Sequence, residues 1–242
     1  MNITVFGASG GIGQQFIDLA KERGHTIRAV YRTRPPVSPG SQVEILVTPD
    51  IFNLDFVTQA IRGADVVVTA LGPSFAKHHN AMTRMISPPD LHQRLARVLV
   101  RAMQDAGAPT KVIAVSTGSM GPADATMGLG PRLLLGFFRT FIARNLRLVG
   151  RDLGAMEQVF AASGLDWYAV RPVKLTDGPL TEQVQASARF ALKPISRADV
   201  AWYLLTLAED STPRQQRAPI LVPAQGHPLR QSRKPVAAGR VS

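Results

Sequence analysis

The chain has 242 residues, 45% of them hydrophobic and none of them cysteine; this suits one large α/β domain and excludes global disorder, disulfides and thiolate chemistry. About half of its formal net charge of +11 gathers at the C-terminal end, where six basic and no acidic residues follow Asp210, so a solvated basic tail is the plain explanation and no nucleic-acid partner is expected. No run of about 18 uncharged apolar residues occurs, which excludes a spanning helix.

The opening Met1-Asn2-Ile3-Thr4-Val5-Phe6-Gly7 enters a strand pattern with no basic leader or cleavage site, and a cytoplasmic protein is expected. Asn2–Phe6 predicts the first strand. Ile12, Phe16, Leu19 and Ala20 then recur at helical spacing until Gly24,. Thr26–Tyr31 and Val43–Val47 predict two more strands around the Pro-rich turn 34–40, and 55–62 a brief helix ending at Gly63,.

The apolar run 66–71 fits a strand covered on both faces. A helix from Leu91 follows, with Leu91, Leu95, Val98, Leu99, Ala102 and Met103 on one face and Gly107 at its end. Strands are predicted over 112–115, 167–170 and 220–222, with a helix over 152–162. Ser196 has the character of an N-cap, with Asp199 in the favourable first turn,. The alternation predicts a Rossmann-type, doubly wound and mostly parallel sheet in a single domain over 1–224. Residues 225–242, rich in Arg, Pro, Gly and Ser, form a tail expected to be disordered.

Gly7-Ala8-Ser9-Gly10-Gly11-Ile12-Gly13 lies between the first strand and the first helix. A glycine triplet alone is weak evidence, but here it has the strand before and the helix after that phosphate binding requires. Gly7 permits the tight turn, Gly10 a close approach of backbone to a pyrophosphate, and Gly13 close packing of helix on sheet. The helix N-terminus then offers free N–H groups to a dinucleotide's phosphates.

Cofactor choice is read at the end of the second strand, where NAD sites place an acidic residue about 20 positions on. This chain has Tyr31-Arg32-Thr33-Arg34, with Arg32 nineteen residues after Gly13 and no carboxylate beside it. Guanidinium groups at Arg32 and Arg34 suit a 2′-phosphate, so NADP(H) is expected over NAD(H).

The glycine loop, the basic 31–34 stretch, Arg62-Gly63-Ala64-Asp65-Val66-Val67-Val68, Val115-Ser116-Thr117, Val170-Arg171-Pro172 and Ile195-Ser196-Arg197-Ala198-Asp199-Val200-Ala201 occur in one order and spacing. Together they resemble the atypical short-chain dehydrogenase/reductase family, which includes biliverdin reductase B-like flavin reductases and NmrA-like proteins. The resemblance implies that Asp50 and Ile51 flank the adenine, and that Ala70, Leu71 and Gly72 line the dinucleotide near its phosphates and ribose. It also implies that Ser116 and Thr117 lie beside the nicotinamide and Pro172 and Val173 near its carboxamide. Asp199 is expected at a helix start rather than in the site.

The larger short-chain dehydrogenase group uses a Tyr-x-x-x-Lys pair, and this chain has none. Tyr31, Tyr168 and Tyr203 are followed four residues on by Pro35, Pro172 and Leu207, and the expected positions fall near Gly150 and Gly154. An ordinary carbonyl–alcohol dehydrogenase is therefore not expected. Hydride transfer to a flavin-like, quinone-like or other small acceptor can proceed without that tyrosine, because the nicotinamide carries the hydride. Ser116 is the candidate catalytic residue, with a strand-end hydroxyl as the plainer alternative. A non-catalytic NADP(H)-sensing regulator is the second hypothesis, and isomerase or epimerase chemistry a weaker third. Lys174 is expected in solvent. His78 and His79 lack partners at ligand spacing, and no metal is expected.

The segment 129–149 holds Leu133-Leu134-Leu135-Gly136-Phe137-Phe138, then Arg139, Phe141, Ile142, Arg144 and Arg147. As a helix it is apolar over more than one face, yet the six uncharged residues between Arg132 and Arg139 cannot cross a bilayer. A pocket lid, a homo-oligomer interface and a peripheral membrane contact all stay open, the first two favoured.

Overall fold

Every residue from Ile3 to Phe6 is buried, but neighbours in the strand belong to two different cores. Side chains alternate across a strand, so continuous burial demands helices on both faces of the sheet. The computed structural model describes residues 1–35, 40–73, 85–106, 111–117, 144–187, 193–212 and 217–224. The proposed tail 225–242, His78, His79, Gly107 and the 129–143 part of the apolar stretch lie outside the described residues.

The elements are β1 (Asn2–Phe6), α1 (Gly11–Glu22), β2 (Thr26–Tyr31), β3 (Val43–Val47), α2 (Leu54–Ile61), β4 (Val66–Thr69), α3 (Leu91–Asp105) and β5 (Lys111–Val115). They continue with α4 (Arg144–Ala161), β6 (Trp167–Pro172), β7 (Lys174–Thr176), β8 (Val184–Ser187), β9 (Pro194–Ser196), α5 (Arg197–Glu209) and β10 (Ile220–Pro223). The main sheet has the order β3-β2-β1-β4-β5-β6-β10-β8, and β7 pairs with β9 apart from it. Within the main sheet only the β10–β8 pairing is antiparallel.

Ile3, Val5, Val66, Val68, Ile113 and Val115 share one core with Phe16 and Ile17 of α1 and Leu204 and Leu205 of α5. Phe6, Val67, Val112 and Ala114 share the other with Val57 of α2, Leu95 and Leu99 of α3, and Met156 and Phe160 of α4. Thr4 is the buried polar residue of β1. It is fully buried, and its hydroxyl donates to the Ala60 carbonyl at 2.8 Å, which removes the cost of an unpaired buried group.

Sheet growth reverses between β1 and β4, whose Phe6 and Thr69 sit side by side. Open α/β sheets bind ligands in the crevice at such a switch point. The Ala70 N–H donates to the Phe6 carbonyl at 2.8 Å, which ties the ends of the two strands together at the base of that crevice.

The structure departs from the predicted elements in several places: β4 ends at Thr69 rather than at 71, and β6 runs on to Pro172 rather than stopping at 170. Helix α4 starts at Arg144, not at 152, because packing against α3 outweighs the intrinsic helix cost of Gly150. Thus the 144–149 part of the apolar stretch is the first turn and a half of a core helix. The short strands β7, β8 and β9 escape sequence reading because they are brief, polar and at or beyond the sheet's edge. The Ser196 hydroxyl does cap α5, accepting from the Asp199 N–H at 2.9 Å. Among the described residues, no helix is long and apolar enough to cross a membrane.

Candidate functional site at the switch point

The strand-to-helix turn after β1 is built around two close approaches. Gly7 has φ +89°, and a Cβ there would lie 2.6 Å from the Ala70 carbonyl carbon; only glycine fits on both counts. At Gly13 a Cβ would lie 2.2 Å from the Gly7 oxygen, so the first turn of α1 passes directly over the loop. Gly10 is tight within the loop itself, its Cβ position 3.3 Å from Gly7 O, and its N–H donates to Gly7 O at 3.0 Å. Among the described residues no side chain caps the start of α1, which leaves the first N–H groups available to an anion.

This loop forms one wall of a cleft of about 350 Å³ over the carboxyl ends of the strands. Gly10, Gly11 and Ile12 meet Ala70, Leu71 and Gly72 from beyond β4, Ser116 and Thr117 from beyond β5, and Pro172 and Val173 from β6 and after. Ten of the residues singled out in the sequence therefore line one cavity. Gly7 and Gly13 shape it from beneath, and Ala8 is fully buried below it, while Ser9 is exposed.

Arg32 and Arg34 follow β2, exposed and outside the described lining of the cleft. Asp50 turns inward on its own backbone, its carboxylate accepting from the Phe52 N–H at 2.9 Å and its N–H donating to the Thr48 hydroxyl oxygen at 3.1 Å. Ile51 is half-buried and packs against the α2–α4 core. Lys174 is exposed on β7, and it is the neighbouring Leu175 that lines the cleft.

Sequence reading missed the groups that hold the cleft's polar side chains. Helix α4 supplies two buried carboxylates, Asp152 and Glu157. The Ser116 hydroxyl donates to Glu157 Oε1 at 2.6 Å, and the Arg171 guanidinium engages both oxygens of the same carboxylate, Nε at 2.9 Å. With its proton committed to Glu157, the Ser116 oxygen presents lone pairs to the cleft.

One turn earlier, Asp152 accepts from the N–H groups of His92 and Gln93 at 2.9 and 2.8 Å and lies 2.7 Å from His92 Nδ1. A carboxylate only accepts, so Nδ1 is the donor in this contact, while Nε2 lies on the cleft side of the ring, 3.3 Å from the Leu71 carbonyl,. A spaced pair of acidic residues on a helix and a histidine at another helix start are common surface patterns, so nothing local marked these residues.

A doubly wound sheet with a glycine-rich turn at its switch point defines a Rossmann-type nucleotide-binding fold. The chain belongs to the NAD(P)H-binding family, whose model matches residues 7–211. It is 28% identical over 120 residues to the uncharacterized protein YwnB of Bacillus subtilis (strain 168), and spans about half that relative's length, 49%, with 50% of itself.

Solved structures share the fold. ChuY, an anaerobillin reductase from Escherichia coli O157:H7, superposes with a TM-score of 0.70 at 21% identity, covering 94% of this chain and 100% of that one. SP1627 from Streptococcus pneumoniae TIGR4, provisionally an NADH-flavin reductase, gives 0.69 at 20% identity over 92% of this chain and 99% of its own. The oxidoreductase ylbE of Lactococcus lactis gives 0.69 at 16% identity over 93% and 91%.

Proposed function

We propose that this protein binds NADP(H) in the switch-point cleft and serves as a reductase for a small conjugated acceptor of the flavin, quinone or bilin type. The carrying observation is the cleft itself, where the glycine turn, the strand ends and Ser116 converge on one cavity. The glycine cradle fits a dinucleotide: Gly7 and Gly13 have no room for a side chain, and the open start of α1 can receive phosphate oxygens. Ala70, Leu71 and Gly72 would border the ribose, Asp50 and Ile51 the adenine, and Arg32 and Arg34 the 2′-phosphate. When bound, the cofactor supplies a hydride to the acceptor.

The protein's own part is positioning. Pro172, Val173, Leu153 and Leu175 give the cleft an apolar side suited to a flat conjugated ring,. Thr117 and the Ser116 oxygen border the region assigned to the nicotinamide, and the Glu157–Arg171 pair fixes the Ser116 rotamer. Helix α4 carries no tyrosine and no lysine, so an acceptor that takes its proton from water suits the site better than a carbonyl requiring a phenolic acid. The reductase descriptions of ChuY and SP1627 support the same acceptor class.

The test is NADPH consumption by the full chain against FMN, FAD, a quinone series, biliverdin and aldehydes. Turnover is expected with the conjugated acceptors and not with the aldehydes. Tight NADPH binding without turnover on any acceptor would replace this reading with that of an NADP(H)-sensing regulator. Replacing Arg32 and Arg34 together by alanine is expected to raise the NADPH Kd by about tenfold or more while sparing NADH; equal losses for both cofactors would remove the NADP(H) preference.

A further inference from the structure

The cofactor reading leaves one charged group in the cleft without a task. Arg197 opens α5, and its side chain lies along the glycine loop: a Cβ on Gly11 would stand 2.7 Å from Arg197 Cδ and 3.3 Å from Nε. Among the described residues that line the cleft, its guanidinium is the one permanent positive charge. The loop face that it covers is the start of α1, made of Gly10, Gly11 and Ile12.

Arg197 is engaged by Asp177, which lies in the connection between β7 and β8. The Asp177 carboxylate is 89% exposed and the Arg197 side chain 33% exposed. An ion pair this open to water holds weakly, whereas a guanidinium facing two phosphate groups in a cleft makes charge-assisted and bidentate bonds. Exchange of the carboxylate for a phosphate therefore favours the bound state.

The backbone under Arg197 is firmly held. Ser196 caps α5, and Asp199 accepts from the Thr181 N–H at 2.7 Å, the Glu182 N–H at 3.0 Å and the Thr181 hydroxyl at 3.0 Å. Glu182 takes a left-handed φ of 58° at this clamp. The fixed helix start and the exposed partner leave the side chain as the part that can switch.

We propose that Arg197 is a clamp for the dinucleotide's pyrophosphate, held by Asp177 until the cofactor displaces it. This rests on the cofactor reading above. The groups recognised are the two linked phosphates, common to NADPH, NADH and ADP-ribose, and not the nicotinamide or the 2′-phosphate.

The experiment measures Kd of NADPH, NADH and ADP-ribose by calorimetry for the wild-type chain and for Arg197→Ala, Arg197→Lys, Asp177→Asn and the Arg197→Ala, Asp177→Asn pair. Arg197→Ala is expected to weaken all three ligands by about tenfold or more, with Arg197→Lys between it and wild type. Asp177→Asn is expected to tighten them by about two- to fivefold, an opposite sign that a merely structural role would not produce, and this gain should vanish in the Arg197→Ala background.

Unchanged affinity in Arg197→Ala, or a loss confined to NADPH or absent with ADP-ribose, overturns the clamp while leaving the cofactor site standing. Binding of none of the ligands by the wild-type chain overturns both. A thermal melt without ligand separates a misfolded Arg197→Ala from a folded one, and in that case the sign of the Asp177→Asn shift decides.

Discussion

Ser116 and Glu157, 41 positions apart in the chain, meet through a 2.6 Å hydrogen bond in which the hydroxyl donates to the carboxylate. The bond ties the end of β5 to α4, and Arg171 of β6 shares the same carboxylate. Three elements are thus pinned at one buried point beside the cleft.

Removing the carboxylate should cost far more than removing the hydroxyl. Glu157→Ala leaves the Arg171 guanidinium buried without its counter-charge, and a stability loss of about 3–5 kcal/mol is expected. Ser116→Ala removes one hydrogen bond and is expected to cost about 1 kcal/mol. Urea denaturation of both variants checks the order; similar losses would mean that the pair with Arg171 is not what anchors α4.

Asp152 acts as the N-terminal cap of a helix to which it does not belong. Asp90, the residue at the N-cap of α3, makes no side-chain cap bond, and Asp152 of α4 accepts the His92 and Gln93 N–H groups in its place. Asp152→Ala is expected to destabilise by about 2 kcal/mol or more, and to speed hydrogen exchange at the His92 and Gln93 amides selectively. Uniform exchange across α3 in the variant would argue against a local cap.

Two glycines on opposite sides of the site should respond to alanine with opposite signs. Gly13→Ala sets a Cβ 2.2 Å from Gly7 O, so the loop must open, with loss of NADPH binding and a lower Tm. Gly154, inside α4, has no described residue within 4 Å of its Cβ position, and Gly154→Ala is expected to stabilise by roughly 0.5–1 kcal/mol. Paired thermal melts and NADPH titrations measure both effects.

Burial, with a smaller contribution from the Asp18 charge, pushes the Tyr31 hydroxyl above its ordinary pKa of 10.0. The native state therefore keeps this proton more tightly than the unfolded chain does. Its contribution is fully present below pH 10.0 and is lost as pH rises through the raised native value. Wild type should lose stability across that alkaline interval relative to Tyr31→Phe, which has no proton to release. Parallel alkaline denaturation curves would contradict the coupling.

Much of the frame is legible along the chain because it depends on neighbours. Val66 to Val68 read as a buried strand, and Ser196 and Asp199 read as a helix start, from the period of side-chain direction and from hydrogen-bond chemistry within one turn. The loop Gly7–Gly13 is legible for the same reason, since a strand, a turn requiring glycine and a helix follow one another without interruption. Brief edge strands such as β8 carry too few residues for a period to show, and Gly150 hid the first turns of α4 because local propensity opposes what tertiary packing imposes.

By itself the sequence determined the parallel sheet, the phosphate-type turn and the strand-end segments that border the cleft, all features of adjacent residues. Only the tertiary structure decided which side chains serve that cleft. Asp152 reaches His92 across 60 positions, Glu157 joins Ser116 to Arg171, and Arg197 comes to rest on Gly11 from the far end of the chain. Such partners depend on strand order and on the rotation of α4 and α5 against the sheet, which packing of the two cores settles and no local pattern encodes.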